Sequence, residues 1–261
     1  MEETRSGDAI ATAYVPAPDS SALAMLLDEY APLGPAPLVP EVQVFQGRVL
    51  LELWGAAERL AGRTVPPPFW GYPWPGGIAL ARTVLDYPAL VAGARVLDLG
   101  TGGGVAALAA KLAGAREVVA NDQDPWAIAT ALLAAERQGL ELTPLLADIA
   151  SELERAGGRS VDPSGDPNDA AGQAAGGAFA GSSGAYDVVL CGDLSYERSV
   201  APKIRAFLER AHADGALVLA ADGGRAYFDA SGFTFLAEYV VPVPHDLEGA
   251  TERTARVYRL G

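Results

Sequence analysis

The stretch that most constrains this chain is Val96-Leu97-Asp98-Leu99-Gly100-Thr101-Gly102-Gly103-Gly104-Val105. An apolar run carrying an acid passes through a glycine turn and opens into the alanine-rich segment Ala106 to Ala113. That pattern predicts a buried strand, a tight loop and the start of a helix. Glycines at such a turn let the backbone approach a ligand closely, and the first N–H groups of the helix have no intrahelical partner. The spacing narrows the ligand further. A dinucleotide fingerprint reads G-x-G-x-x-G and cradles a pyrophosphate. Here the run is G-x-G-G-G, position 105 is Val, and an acid stands two residues before the first glycine. An acid so placed suits a cationic ligand and repels a pyrophosphate.

The 261 residues fit one α/β domain with an N-terminal extension. We place the extension, with its helices, at 1–65 and the ligand-binding domain at 66–261. Half of the residues are apolar, enough for a substantial core, and the formal charge is −14. Such a charge repels phosphate backbones, so nucleic acid is not an expected partner. No run of about twenty apolar residues is present, so no membrane span or membrane partner is expected. The N-terminus, Met1-Glu2-Glu3-Thr4-Arg5, resembles neither a signal peptide nor an Arg-rich transit peptide. The single cysteine, Cys191, forms no internal disulfide, and with that N-terminus it predicts a reducing, cytoplasmic setting. Two histidines, His212 and His245, have no Cys or His at ligand spacing, so no metal site is expected.

Taken in order, residues 1–19 are polar and proline-bearing and are expected to fray. Ser20 or Ser21 is placed to cap a helix over Ala22–Tyr30. Ala31 to Pro40 carries four prolines and reads as an extended connector, neither helix nor central strand. Val49, Leu50, Leu53, Trp54, Ala57 and Leu60 recur at helical spacing. The stretch Pro66 to Gly77 sets four aromatics among prolines and glycines and predicts an irregular loop, followed by a helix over about Ile78–Leu85. That loop serves as a hydrophobic lid over the sheet edge, as a wall of the ligand pocket through Trp74, or as both. From Arg95 strands and helices alternate: strands at Arg95–Leu99, Glu117–Ala120, Leu142–Leu146, Tyr186–Cys191 and Ala216–Ala220. This is the signature of a doubly wound, Rossmann-like parallel sheet. Phe233–Val241 and Thr254–Leu260 follow as an antiparallel pair, making seven strands. Between the third and fourth strands, 156–184 is rich in Gly, Ala, Ser and Asp without apolar periodicity, and reads as a disordered insertion.

The first four strands all end in an acid: Asp98, Asp122, Asp148 and Asp193. Each acid has an ordinary reading as a helix cap. Four on one rim, where open α/β sheets bind ligands, is more than capping requires. The glycine turn with its acid resembles motif I of class I S-adenosylmethionine (SAM) methyltransferases, and SAM is the cofactor that this resemblance implies. Trp74, Gly100, Gly102 and Gly104 would then line its site, with Asp98 facing its cationic end. Asp122 lies 24 positions after Asp98 and is placed for the ribose hydroxyls, while Asp124, before Pro125, better fits a helix cap. Asp148 is placed for the adenine amine, with Ile149 donating through its backbone. Asp193 is placed where the methyl group emerges, to orient the accepting amine. Tyr196 lines the acceptor channel or simply packs at a helix start.

A more specific resemblance rests on Pro73-Trp74-Pro75-Gly76-Gly77, Ala120-Asn121-Asp122-Gln123-Asp124-Pro125, Cys191-Gly192-Asp193-Leu194-Ser195-Tyr196 and Ala221-Asp222-Gly223-Gly224-Arg225. In that order, over about 39–227, they resemble the lysine methyltransferases that act on the β subunit of electron-transfer flavoprotein. The chain departs from that pattern at Gly103, Ser195, Gly223 and the 156–184 insertion. Ribosomal-protein methyltransferases share the Asp-x-Asp-Pro segment but carry Asn-Pro-Pro-Tyr-type residues after the fourth strand. The resemblance implies a SAM-dependent N-methyltransferase with a protein lysine as acceptor. A small-molecule amine, such as a flat heterocycle held by the aromatic loop, is the alternative acceptor, and a non-catalytic SAM-binding protein is the alternative class.

Overall fold

A computed structural model describes residues 16–148 and 186–261, so the expected N-terminal fraying, Ile149 and the 156–184 insertion lie outside or largely outside the described residues. The N-terminal part opens with α1 (Ser20–Tyr30). Its cap is Asp19, whose Oδ1 accepts from the backbone N–H groups of Ser21 and Ala22 at 3.0 Å each, in place of the expected serines. The proline-rich connector is instead a two-stranded antiparallel ribbon, β1 (Leu33–Ala36) and β2 (Val39–Phe45). Its prolines are tolerated because a lone ribbon has two open edges where a missing N–H costs no ladder bond. The turn at Pro37-Leu38 puts Leu38 at φ 60°. A helix, α2 (Leu50–Ala61), completes this part.

A 3₁₀ turn at Phe69–Gly71 leads into α3 (Pro75–Asp86). The sequence expectation started this helix at Ile78. Pro75, Gly76 and Gly77 instead form its first turn, where Pro costs no hydrogen bond. The sheet strands follow: β3 (Arg95–Leu99), β4 (Glu117–Asp122), β5 (Thr143–Leu146), β6 (Val188–Gly192) and β7 (Leu217–Asp222). Three helices lie among them, α4 (Val105–Leu112), α5 (Pro125–Glu136) and α6 (Ala201–Ala213). The chain closes with β8 (Phe233–Pro242), the short α7 (His245–Glu248) and β9 (Glu252–Leu260).

The seven strands stand in the order β5-β4-β3-β6-β7-β9-β8. The first five are parallel, and β9 runs antiparallel to both β7 and β8. This is the expected doubly wound architecture. Alternate strand residues face opposite sides. Val96, Val118, Val188 and Leu219 pack with α3, α4, α5 and the N-terminal elements. Leu97, Val119, Val189 and Val218 pack with α6. The strand order reverses between β3 and β6, and the carboxyl ends of β5, β4, β3 and β6 therefore form one continuous rim.

Candidate active site

A cavity of about 380 Å³ runs along that rim. Its wall takes Ala147 and Asp148 from the end of β5, Asn121 and Asp122 from β4, Leu99, Gly100 and Gly102 from β3, and Gly192 and Asp193 from β6. The cavity thus brings together Asp122, Asp148, Asp193, Gly100, Gly102, Trp74 and Tyr196 of the residues singled out from sequence.

Two of the expected residues turn away, and both are corrections. Asp98 does not line the cavity. It sits on the α4 side of β3, almost fully buried, and its Oδ2 accepts from Thr101 Oγ1 at 2.7 Å and from the Ala107 backbone at 3.1 Å. The acid therefore staples the glycine loop to the first turn of α4 and stands behind the cavity wall. Burial, strengthened by the nearby Asp122 charge, raises its pKa to about 7, against the lowering effect of those two donors. Gly104 is likewise a packing residue. It caps α4 at φ 89°, and a Cβ there would meet the Ala131 Cβ at 3.0 Å.

On the β4 side, Asp122 Oδ2 accepts from the Gly102 backbone and Oδ1 from the Asp124 backbone, each at 3.0 Å. The bond to Gly102 ties the ends of β3 and β4 into one cradle. Asp124 caps α5 through the Trp126 N–H at 2.9 Å, as expected. Burial raises the pKa of both acids, that of Asp124 to about 7. Asn121 was not singled out as a site residue. Its Nδ2 donates to the carbonyls of Leu145 and Ala147, at 2.9 and 3.1 Å, and holds the end of β5 in place. A polar residue inside an otherwise apolar strand was the available signal.

At the other end of the cavity the motifs from three distant segments meet on one carboxylate. Asp193 stands at φ 56°, a left-handed conformation rare outside glycine. Its Oδ2 accepts from Gly76 N–H at 2.5 Å, at the N-terminus of α3, where a carboxylate is favoured by the helix dipole. Its Oδ1 accepts from Gly223 N–H at 2.9 Å and from Arg225 Nε at 3.1 Å. Crowding explains the glycines here. A Cβ on Gly76 would lie 2.8 Å from both Asp193 Oδ2 and the Ala221 carbonyl, and one on Gly192 would lie 2.9 Å from the Gly77 nitrogen.

The proline-aromatic loop walls this end. Trp74 Nε1 donates to the Phe69 carbonyl at 2.8 Å, and Phe69 stands 5.8 Å from Trp74 and 6.1 Å from Tyr196, centroid to centroid. Phe69 and Tyr196 are each about half exposed, at 49% and 47%. Behind them Trp70 stacks on Trp126 at 5.8 Å. Sequence reading missed Arg225 as a site residue, although it noticed the segment. The guanidinium lies 5.2 Å from the centre of Trp74 and also reaches Glu248. The second contact bridges 23 residues of sequence and leaves no local signature.

The wall chemistry fits SAM in order along the rim. An apolar slot with Pro66, Ala127 and Ala147 suits the base beside Asp148, and Asp122 suits the ribose diol. The loop at Gly100 and Gly102, both at positive φ, presents backbone to the amino-acid part, and Asp193 lies beyond. This fold and this site define a SAM-dependent methyltransferase of the seven-strand class, with SAM as its cofactor. The model of the ribosomal protein L11 methyltransferase (PrmA) family matches residues 83–154. A relative from Mus musculus, the electron transfer flavoprotein beta subunit lysine methyltransferase, is 30% identical over 226 residues, which cover 85% of this chain and 77% of that one. Its Danio rerio counterpart is 35% identical over 63% of this chain and 53% of its own. The solved structure of a ribosomal protein L11 methylase from Lactobacillus delbrueckii subsp. bulgaricus is 16% identical over 71% of this chain and 79% of its own, and superposes loosely, with a TM-score of 0.40. The chain belongs to the electron transfer flavoprotein beta subunit lysine methyltransferase family.

Proposed function

We propose that this protein methylates the side-chain amine of a lysine on a protein, the electron transfer flavoprotein β subunit or one like it. The observation that carries the reading is the state of Asp193. A carboxylate has about four acceptor positions. Three are taken by Gly76, Gly223 and Arg225, which fix its orientation and leave one on Oδ2 for a donor arriving through the cavity. Phe69, Trp74 and Tyr196 surround that approach with rings.

SAM, when bound, supplies an electrophilic methyl group on its sulfonium. The residues of the chain then have three tasks. Asp193 accepts a hydrogen bond from the amine and points its lone pair along the cavity. Arg225 offsets the carboxylate charge, so that Asp193 orients the amine without strongly holding it in the protonated form. Lysine has a pKa near 10.4 in water, and enclosure by the aromatic wall favours the neutral, nucleophilic form. Holding that amine about 3–3.5 Å from the methyl carbon is the main source of rate. Tyr196 and Trp74 present ring faces to the positive charge that grows on nitrogen.

The family-model match to the L11 enzymes ends at residue 154 and so spans β3 to β5, the cofactor half. It carries no information on β6 and β7, where the acceptor would bind, whereas the 226-residue match to the mouse relative extends much further. The formal charge of −14 suits a basic face on the protein substrate. The test is mass spectrometry of purified electron transfer flavoprotein β subunit incubated with the protein and SAM. Methyl increments mapped to lysine are expected. Methylation of small heterocyclic amines with none on the protein would overturn the reading.

A further inference from the structure

Glu248 does not line the cavity, yet it is the most deeply placed acid of the C-terminal hairpin, with its side chain 3% exposed. It lies in α7, which connects β8 to β9 at one edge of the sheet. Its Oε2 accepts from Arg253 Nε at 3.1 Å, and its backbone carbonyl accepts from Arg253 Nη2. These bonds staple the hairpin to itself. The other oxygen does something different. Oε1 accepts from Arg225 Nη2 at 3.0 Å, and the same guanidinium donates through Nε to Asp193.

Arg225 is therefore held at two ends, with its flat face over Trp74. Asp222 fixes its backbone, accepting from the N–H groups of Gly224 and Arg225. Only a planar fork with separate donors reaches two carboxylates while lying over a ring, so lysine is no substitute. We infer that Glu248 is a positioning residue for the acceptor site: through Arg225 it sets the orientation of Asp193 and Trp74, and so makes the C-terminal hairpin part of the methyl-transfer machinery. The catalytic arm of this inference rests on the acceptor reading above, and the structural arm does not.

The experiment compares Glu248→Ala, Glu248→Gln and Arg253→Gln with the wild-type protein. Hydrogen exchange is followed by mass spectrometry, SAM affinity by calorimetry, and methylation kinetics on electron transfer flavoprotein β subunit. Arg253→Gln breaks the staple and leaves the Glu248–Arg225 contact. In Glu248→Ala, exchange over 74–77 and 223–226 speeds up at least about threefold, because the Asp193 bonds to Gly76 and Gly223 loosen. Acceptor kcat/KM falls about five- to twentyfold, the range of coupling through one packed contact. SAM affinity stays within about twofold. Glu248→Gln recovers part of both losses, since its amide oxygen still accepts from Arg225, and it carries the test alone if the alanine variant does not fold. Arg253→Gln leaves 74–77 unchanged. Equal effects of Glu248→Ala and Arg253→Gln, or unchanged exchange at 74–77, would overturn the inference and leave Glu248 as a hairpin staple. If the wild-type protein methylates no lysine of the β subunit, the acceptor reading fails, and the exchange data still decide the relay.

Discussion

Acids gather at both ends of the cavity, in its wall or just behind it, and the two ends hold them in opposite ways. Near β3 and β4, Asp98, Asp122 and Asp124 are fixed by backbone N–H groups and side-chain hydroxyl or indole donors, with no ion pair to any of the three among the described residues. Burial raises all three pKa values. Near β6 and β7, Asp193 and Glu248 alternate with Arg225 and Arg253. The uncompensated acids of the cavity wall, Asp122 and Asp124, keep their field for a cationic ligand with hydroxyl donors. Compensated acids have spent theirs on geometry. One end is built to bind and the other to aim.

The comparison can be broken most sharply at Asp193. Asp193→Asn puts an amide against the Gly76 and Gly223 donors and removes the charge that faces Arg225. Turnover is expected to fall about a hundredfold, as when one transition-state partner is lost. SAM affinity measured by calorimetry stays within about threefold. An equal loss of both would move Asp193 to the binding end. Next in size is Asp122→Asn, for which the pattern reverses. The Kd for SAM rises about tenfold to thirtyfold, as expected for loss of hydrogen bonds to a charged group, while kcat at saturating SAM barely moves.

Asp98 sharpens the same contrast through pH. Its folded pKa, about 7, lies above the ordinary 3.8, so the folded state binds the extra proton. The stability this contributes is present at low pH and is lost as pH rises towards 7. Chemical denaturation of the cofactor-free protein should show Asp98→Asn gaining on the wild type by about 2–3 kcal/mol between pH 5 and pH 8. A flat difference would mean that Asp98 titrates near its ordinary value. The smallest effect is expected for Trp74→Phe, which loses the indole bond to Phe69 and weakens the ring under Arg225. The KM of the acceptor should rise about twofold to fivefold, the worth of one such cation–π contact, with the SAM Kd unaltered.

The parallel sheet and its order of acids were readable because a period of two in short apolar runs, alternating with helices, admits few topologies. The same reading placed Asp122, Asp148 and Asp193 at strand ends, and the cavity does lie there. It misjudged Asp98 for a reason that strand ends conceal. A residue's position along β3 is visible in sequence, but whether its side chain leans to the α4 face or over the rim depends on what the neighbouring helix offers, here the Ala107 N–H. Gly104 was misread because an αL cap packed on Ala131 and a ligand-facing glycine look alike in sequence. The Leu33–Phe45 ribbon was hidden because proline argues against strands in general, and only an isolated pair with open edges escapes that rule. Glu248 and Arg225 were beyond reach altogether, since their meeting depends on where the hairpin turn folds back.

The left-handed backbone at Asp193 has a consequence for how this position can vary. Only glycine, asparagine and aspartate enter that region with ease, and aspartate alone among them carries a charge. Glutamate, the usual conservative exchange for an acid, would carry a longer arm on a backbone that resists it. The vocabulary available to the site was thus cut to a single acid by the shape of a turn, before any demand of methyl transfer was heard.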